Sequence, residues 1–418
     1  MRGGFERKGD ENSGTCVKEF SPLIMQKNIF IIGASDLQLP AILAAREMGL
    51  KVAVADYNPR AVGIPYADVY YNVSTIDEIG ICEAARAFEA DGIVAVATDQ
   101  PMRAVAYAAS QLHLPGVSCE VAKNATDKDR QIKIFQKAGL SIPWFVTVES
   151  EKALEDLKEQ ITFPCVCKPV DSSGSRGVSI VRKRADLLDV YQRATEYSSS
   201  GKVIFEEYLM GSEVSVELIA TQGQYHVLAI TDKATTGEPH FVETGHSQPS
   251  ELSGEIQKAI KTLAIEAARS LGIMESAAHV EIMVTEKGPC LIEVGARLGG
   301  DCITSHLVPL STGIDMVKAT LKVALGMKTD LQRQSHKGSA ICFLQSDRGR
   351  IEQITGMERA RALPGVEVVR IHKTKGDIYD GLASSTDRIG YIIASADTAE
   401  KARAICNQAA EMIHIEVS

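Results

Sequence analysis

The chain has 418 residues, 45% of them apolar, enough at about 150 residues per domain to fill several cores and too many for a disordered or fibrous chain. A net charge of −9, with 45 basic residues spread along the chain without a Lys/Arg block, excludes the basic patch of a nucleic-acid binder and leaves room for small anions held by local cations. No apolar run reaches the roughly 18 residues of a membrane-spanning helix, and the nine cysteines form no C-x-x-C pair, so we expect a cytoplasmic chain with free thiols, without membrane contact, zinc site or disulfide framework.

Residues 1–26 carry Gly3, Gly4, Gly9 and Gly14 among mixed charges and read as a flexible tail. From Lys27 the pattern is a strand over 28–32, a turn at Gly33-Ala34-Ser35, an Ala-rich helix over about 40–48 and a strand over 51–56, the βαβ unit of a parallel sheet. Only Gly33 matches the G-x-G-x-x-G set, so the turn is read as structural although Asp56 ends the second strand. A buried strand over 92–97 and a helix over 101–111 continue the alternation, which closes near Asn124. A helix over about 127–138 follows. A strand over 163–169 then runs into the small-residue loop Asp171-Ser172-Ser173-Gly174-Ser175-Arg176-Gly177 and a strand over 178–181. Next come a strand over 203–206 and an alternating run over 213–217. Ser253 caps a helix whose apolar stripe ends at Gly272. Another helix covers about 315–325. Beyond 329, short strands and helices, among them 390–394 and 398–413, read as a small α+β lobe.

The segment from Ala278 to Arg297 holds the densest chemistry. Two alternating strands flank a turn at Lys287-Gly288, and a symmetric register pairs 284 with 290, 282 with 292 and so Glu281 with Glu293. Two carboxylates facing each other among apolar neighbours repel unless a cation lies between them, and hard oxygen donors suit Mg²⁺, which completes its shell with water and phosphate. His279 shares the parity of Glu281, and Arg297 lines the same cleft if it remains extended. Upstream, Lys168 and the loop over 171–177 offer a cation and backbone N–H donors for a polyphosphate, without the G-x-x-x-x-G-K-[ST] of a P-loop.

From Lys27 onward these residues resemble the ATP-grasp superfamily. The resemblance implies an α/β and α+β multidomain chain: a Rossmann-like domain over 27–125, a first helix and lid over 126–202, a large subdomain with the nucleotide and metal site over 203–330, and the C-terminal lobe over 331–418. It implies that Lys128, Lys168 and the lid residues Ser173, Gly174 and Ser175 meet ATP phosphates. Glu206, Glu207, Tyr208 and Leu209 would hold adenine, Glu213 the ribose, and Glu281 and Glu293 Mg²⁺, with Mn²⁺ as the alternative ion. The E-x-N-x-R form common in the superfamily is here Glu293-Val294-Gly295-Ala296-Arg297, so an Asn ligand is replaced by Gly295. Within the superfamily, the run from His240 to Pro249 and the run from Gly295 to Asp301 are similar to L-amino-acid ligases. There the Glu, His and Arg matching Glu243, His246 and Arg297 surround the amino acid.

The activity so implied is amide or peptide-bond formation between a small-molecule carboxylate and an amine through an acyl phosphate. Arg297, with backbone N–H groups near Gly299 and Gly300, is then the expected donor to the oxyanion, and His246 the base for the incoming ammonium. Rival readings are bicarbonate or purine-precursor chemistry on the same fold, and a non-catalytic nucleotide binder. The C-terminal lobe is expected to complete the substrate pocket or a subunit contact, with His372 and Arg388 as visible candidates that otherwise read as ordinary structural or surface polar groups, and a homodimer is the base-rate assembly.

Overall fold

The computed structural model describes residues 1, 26–174, 176–238 and 241–418. The tail expected over 1–26, including Cys16, therefore lies almost wholly outside the described residues.

The N-terminal unit is a parallel sheet of β1 (Asn28–Ile32), β2 (Lys51–Ala55), β3 (Val69–Tyr71) and β4 (Gly92–Ala95) in the order β3-β2-β1-β4. Helices α1 (Leu39–Glu47), α2 (Glu78–Ala87), α3 (Met102–Leu112) and α4 (Cys119–Ala125) accompany it. Ile29 to Ile32 are fully buried, as a strand covered on both faces requires. The turn after β1 is structural: Asp56 accepts from Ala34 N at 2.8 Å and Asn58 N at 2.9 Å, so its carboxylate ties the turn together.

Asp127 caps α5 (Lys128–Lys137) by accepting from Arg130 N, which fixes Lys128 at the first helical position. The lid sheet has the order β5-β8-β6-β7, built from β5 (Phe145–Val148), β6 (Cys165–Pro169), β7 (Ser179–Val181) and β8 (Val203–Glu207), with α6 (Glu151–Leu157) and α7 (Leu187–Thr195) against it. The strand beginning at Val203, expected to open the large subdomain, pairs on both sides within this lid sheet.

The third sheet has eight strands in the order β13-β12-β9-β10-β11-β14-β18-β16. They are β9 (Ser212–Thr221), β10 (Gln224–Thr235), β11 (Glu243–Gln248), β12 (Ser276–Thr285), β13 (Gly288–Gly295), β14 (Gly338–Phe343), β16 (Val366–Ile371) and β18 (Gly390–Ala396). The small strands β15 (Gly349–Thr355), β17 (Ile378–Tyr379) and β19 (His414–Val417) form a separate ladder. The remaining helices are α8 (Gly254–Leu271), α9 (Val308–Thr312), α10 (Met316–Ala324), α11 (Met357–Arg361) and α12 (Ala399–Glu411). The C-terminal lobe thus has no central sheet of its own, because β14, β18 and β16 continue the sheet of the large subdomain through the β11–β14 pairing.

Period-2 alternation gives this sheet two chemically different faces. Val214, Val216 and Leu218 of β9 and Ala278, Val280 and Ile282 of β12 pack with Ile260, Leu263, Ala264 and Ala267 of α8 in one core. Glu213, Ser215 and Glu217, with His279 and Glu281, necessarily point the other way. No helix among the described residues is long and apolar enough to cross a membrane.

Candidate active site

The polar face of the large sheet is the floor of the site. Glu281 and Glu293 are direct cross-strand partners, as expected, but the register that brings them together is not the symmetric one. The turn is Glu286-Lys287, which pairs Thr285 with Gly288, Val284 with Pro289 and Ile282 with Leu291. A bulge between Glu281 and Ile282 then shifts the ladder by one residue and sets Glu281 against Glu293. The pairs 284–290 and 282–292 do not form. Strand β13 is an edge, and α5 covers it: Gln131 donates to Val294 O at 2.9 Å and accepts from Val294 N at 2.8 Å, so one buried amide stands in for a neighbouring strand.

Each carboxylate has a cation beside it. Lys128 Nζ lies 2.9 Å from Glu293 and donates to Ser172 O at 2.8 Å, joining the hairpin to the lid loop. Burial works against the Lys128 charge, but Glu293 outweighs it and holds the ammonium above its ordinary range. On the other side, Lys233 Nζ lies 3.0 Å from Glu281, 2.5 Å from Glu213 and 3.7 Å from Glu243. His279 sits beneath, with Nδ1 2.7 Å from Glu217 and Nε2 3.3 Å from Glu281. Burial opposes its charge, yet Glu217 overcomes this and raises the imidazole to about 9. Burial also opposes ionisation of Glu281, and Lys233 and His279 nevertheless keep its carboxyl well below the usual range.

The donor set fits a hard divalent cation: two carboxyl groups on facing strands, one of them already beside a lysine expected at phosphate. Among the described residues no group of three or more His, Cys, Asp and Glu has the arrangement of an all-protein metal cage, so the rest of the shell falls to water and phosphate oxygens. The Asn common at position 295 would not fit here. A Cβ on Gly295 would lie 2.8 Å from Asp99 Oδ1 and 3.1 Å from Arg297 Cζ, so the space is taken by an ion pair.

That ion pair is bidentate: Arg297 donates through Nε to Asp99 Oδ1 at 2.8 Å and through Nη2 to Asp99 Oδ2 at 2.5 Å. Arg297 lies past the end of β13 instead of extending it, and Asp99 reaches it from the segment after β4. Lys168 Nζ contacts Glu206 at 2.6 Å with both side chains buried, so the Glu206 carboxylate is committed to the lysine and not free to meet a base. Backbone at Glu207 and Tyr208 is anchored to Trp144 O and Pro164 O. Ser173 and Gly174 lie in the lid loop, and Ser175 lies outside the described residues.

Of the residues expected around an amino acid, Glu243 and His246 are joined through Arg388 and Asp301, whereas Arg297 is held by Asp99. Arg388, 7% exposed, donates to both oxygens of Asp301 at 2.7 and 2.9 Å and to Glu243 Oε2 at 3.1 Å, and its guanidinium stacks 3.6 Å from the Phe343 ring. Arg388 is thus a structural polar group, one of the two forms the sequence reading gave it, and it ties Asp301 to Glu243. His246 Nε2 lies 3.2 Å from Asp301 Oδ2, while its buried Nδ1 has no partner among the described residues. Gly299 admits no side chain: a Cβ would lie 2.6 Å from His279 Nδ1 and 2.9 Å from Glu217 Oε2. A small cavity of about 60 Å³ lies beside Gly299, Gly300 and Asp301, with Asp36, Leu37 and Ala97 of the N-terminal unit as its far wall.

Two family models match this chain. Residues 161–305 match the ATP-grasp domain, and residues 342–418 match the L-amino acid ligase C-terminal domain 2. The chain carries an ATP-grasp domain. It is 28% identical over 315 residues to protein y4rH of Sinorhizobium fredii, covering 73% of this chain and 64% of that one. It is 30% identical over 280 residues to the alanine–anticapsin ligase of Bacillus subtilis, covering 60% of this chain and 57% of the ligase. The ATP-grasp chain thus spans 57–64% of the length of these curated relatives. Among solved structures, the L-amino acid ligase from Bacillus licheniformis superposes with a TM-score of 0.82 at 25% identity, covering 94% of this chain and 99% of that one. The phosphoribosylglycinamide synthetase from Anaerococcus prevotii shares the fold at a TM-score of 0.77 and 20% identity, covering 94% of this chain and 100% of that one. ATP and Mg²⁺ are the general cofactors of ATP-grasp enzymes, and a solved neighbour of this ATP-grasp chain holds MgADP.

Sequence reasoning missed Asp99, Gln131, Lys233 and the role of Arg388. None of them left a local trace: Lys233, for example, follows Thr231 and Asp232 on a strand of mixed polarity.

Proposed function

We propose that this chain is an ATP-dependent ligase that joins the carboxylate of an amino acid to an amine through an acyl phosphate. The observation that carries the reading is one continuous set of contacts on one sheet face. It runs from Lys128 and Glu293 at the phosphate and metal end to Glu243, Arg388, Asp301 and His246 at the end suited to a zwitterion.

Glu281 and Glu293 would hold Mg²⁺, or Mn²⁺ in its place, and the bound ion supplies charge neutralisation at phosphate oxygens. Lys128 and Lys168 add positive charge along the polyphosphate, with the lid loop at Ser173 and Gly174 closing over it and Glu207 to Leu209 and Glu213 taking the nucleoside. A substrate carboxylate oxygen attacks the γ-phosphorus, ADP leaves, and an acyl phosphate forms. Glu243 meets the ammonium of that first substrate. The ammonium of the second substrate gives a proton to His246, and the free amine attacks the acyl carbon. Arg297 and the backbone N–H groups of Gly299 and Gly300 stabilise the oxyanion until phosphate departs. The same reading puts the enzyme in the cytoplasm, acting on small molecules, with a homodimer as its base-rate assembly.

The test is phosphate release from ATP and Mg²⁺ across all pairs of the proteinogenic L-amino acids, with mass spectrometry of the products and Glu293→Ala as the blank. Release that requires two amino acids and yields a dipeptide mass supports the reading. Bicarbonate-dependent release of ADP without an amine overturns it.

A further inference from the structure

Lys233 belongs to none of the motifs that carry the family resemblance, yet it is the most central cation of the site. Its side chain is 4% exposed, and its ammonium touches Glu213, Glu243 and Glu281. The three carboxylates come from β9, β11 and β12, and β10 presents Lys233 to all of them. Each carboxylate belongs to a different part of the proposed reaction: Glu213 to the nucleoside, Glu281 to the metal, Glu243 to the amino acid. A lysine ammonium has three N–H donors, so one donor is available per carboxylate. Without it, three anions would converge within a few ångströms of one buried point, an arrangement that spreads apart or recruits another cation.

We propose that Lys233 is a positioning residue, a resident cation that locks the nucleoside, metal and amino-acid subsites into one rigid unit. The assignment of those subsites rests on the proposed function. A neutral side chain of similar length frees the three carboxylates from their common anchor, so that both substrates lose their pre-set partners together. It also leaves three hard oxygen donors around a vacated cation position, a ready site for a divalent ion in the absence of nucleotide.

The experiment uses the full chain with Lys233→Met, Lys233→Gln and Lys233→Arg, each checked for folding by circular dichroism. Manganese is titrated without nucleotide and followed by electron paramagnetic resonance, and KM is measured separately for ATP and for the activated amino acid. In Lys233→Met, or in Lys233→Gln should the Met variant not fold, nucleotide-free manganese affinity rises about tenfold or more. Both KM values rise together by about 30-fold. Lys233→Arg keeps both KM values close to wild type and gains no manganese site. Unchanged manganese affinity in the neutral variants, or a rise in only one KM, overturns the proposal. If the wild-type chain releases no phosphate with any amino acid, the ligase reading falls by itself. The manganese titration then decides the role of Lys233 alone, a tenfold gain upholding it and an unchanged affinity refuting it.

Discussion

Replacing Arg388 by Met keeps the length and apolar contact of the side chain and deletes its charge. The variant loses the two-point contact with Asp301, the bond to Glu243 at 3.1 Å and the stack on Phe343. Breaking a buried ion pair by removing one partner costs about 3–5 kcal/mol. Asp301 and Glu243 are each 25% exposed, so water offsets part of that loss, and the expected destabilisation at pH 7 is about 2–4 kcal/mol. Urea unfolding followed by far-UV circular dichroism measures it. Pairing the variant with Asp301→Asn in a double-mutant cycle isolates the contact, with an expected coupling of about 2 kcal/mol. The pH dependence follows from Asp301. Burial pushes its carboxyl upward, but the His246 hydrogen bond and the Arg388 charge outweigh this and hold it below its ordinary value. A folded-state value below the unfolded one gives stability that is complete above the unfolded pKa of about 4 and lost as pH falls below it. The gap between wild type and Arg388→Met therefore narrows on acidification below about pH 4. A coupling energy under about 0.5 kcal/mol refutes the reasoning.

Three further outcomes are expected. Gly299→Ala forces a methyl group against the buried side chains of His279 and Glu217 and lowers kcat for phosphate release by about tenfold or more while leaving ATP affinity, read by a fluorescent nucleotide, near wild type. Gly295→Asn restores the side chain common in the superfamily but displaces the Asp99 and Arg297 pair, so it lowers turnover in the same assay instead of raising it. Gln131→Leu leaves the Val294 N–H and C=O without partners at the sheet edge and destabilises the chain by about 2–4 kcal/mol in urea titrations.

What the sequence made legible was local. The alternation over 213–217, the cap at Ser253 with the stop at Gly272, and the βαβ opening are set by residues within a few positions of each other, and they appear as expected. The pairing of Glu281 with Glu293 was reached from an incorrect register, because a turn one residue tighter and a bulge one residue wide cancel. A bulge leaves no mark in hydrophobic periodicity when the residues beside it are both apolar, as Ile282 and Leu291 are. The missed site residues act over long separations: Arg297 meets Asp99 across 198 positions, Gln131 meets Val294 across 163, and Arg388 meets Asp301 across 87. Nothing in the neighbourhood of either partner specifies such a contact, which exists only once three sheets have been assembled around it.

The β11–β14 pairing carries a consequence for how this protein can change. Gly245 to Gln248 on one side are stitched to Ser339 to Cys342 on the other, so the last eighty or so residues are woven into the same fabric that holds His246. A chain cut before Gly338 would present β11 as a raw, unpaired selvedge beside the amino-acid end of the cleft. Exchanging the C-terminal segment between relatives would therefore re-tension the strand that bears His246, and any shift in substrate choice so obtained would arrive together with a shift in the chemistry.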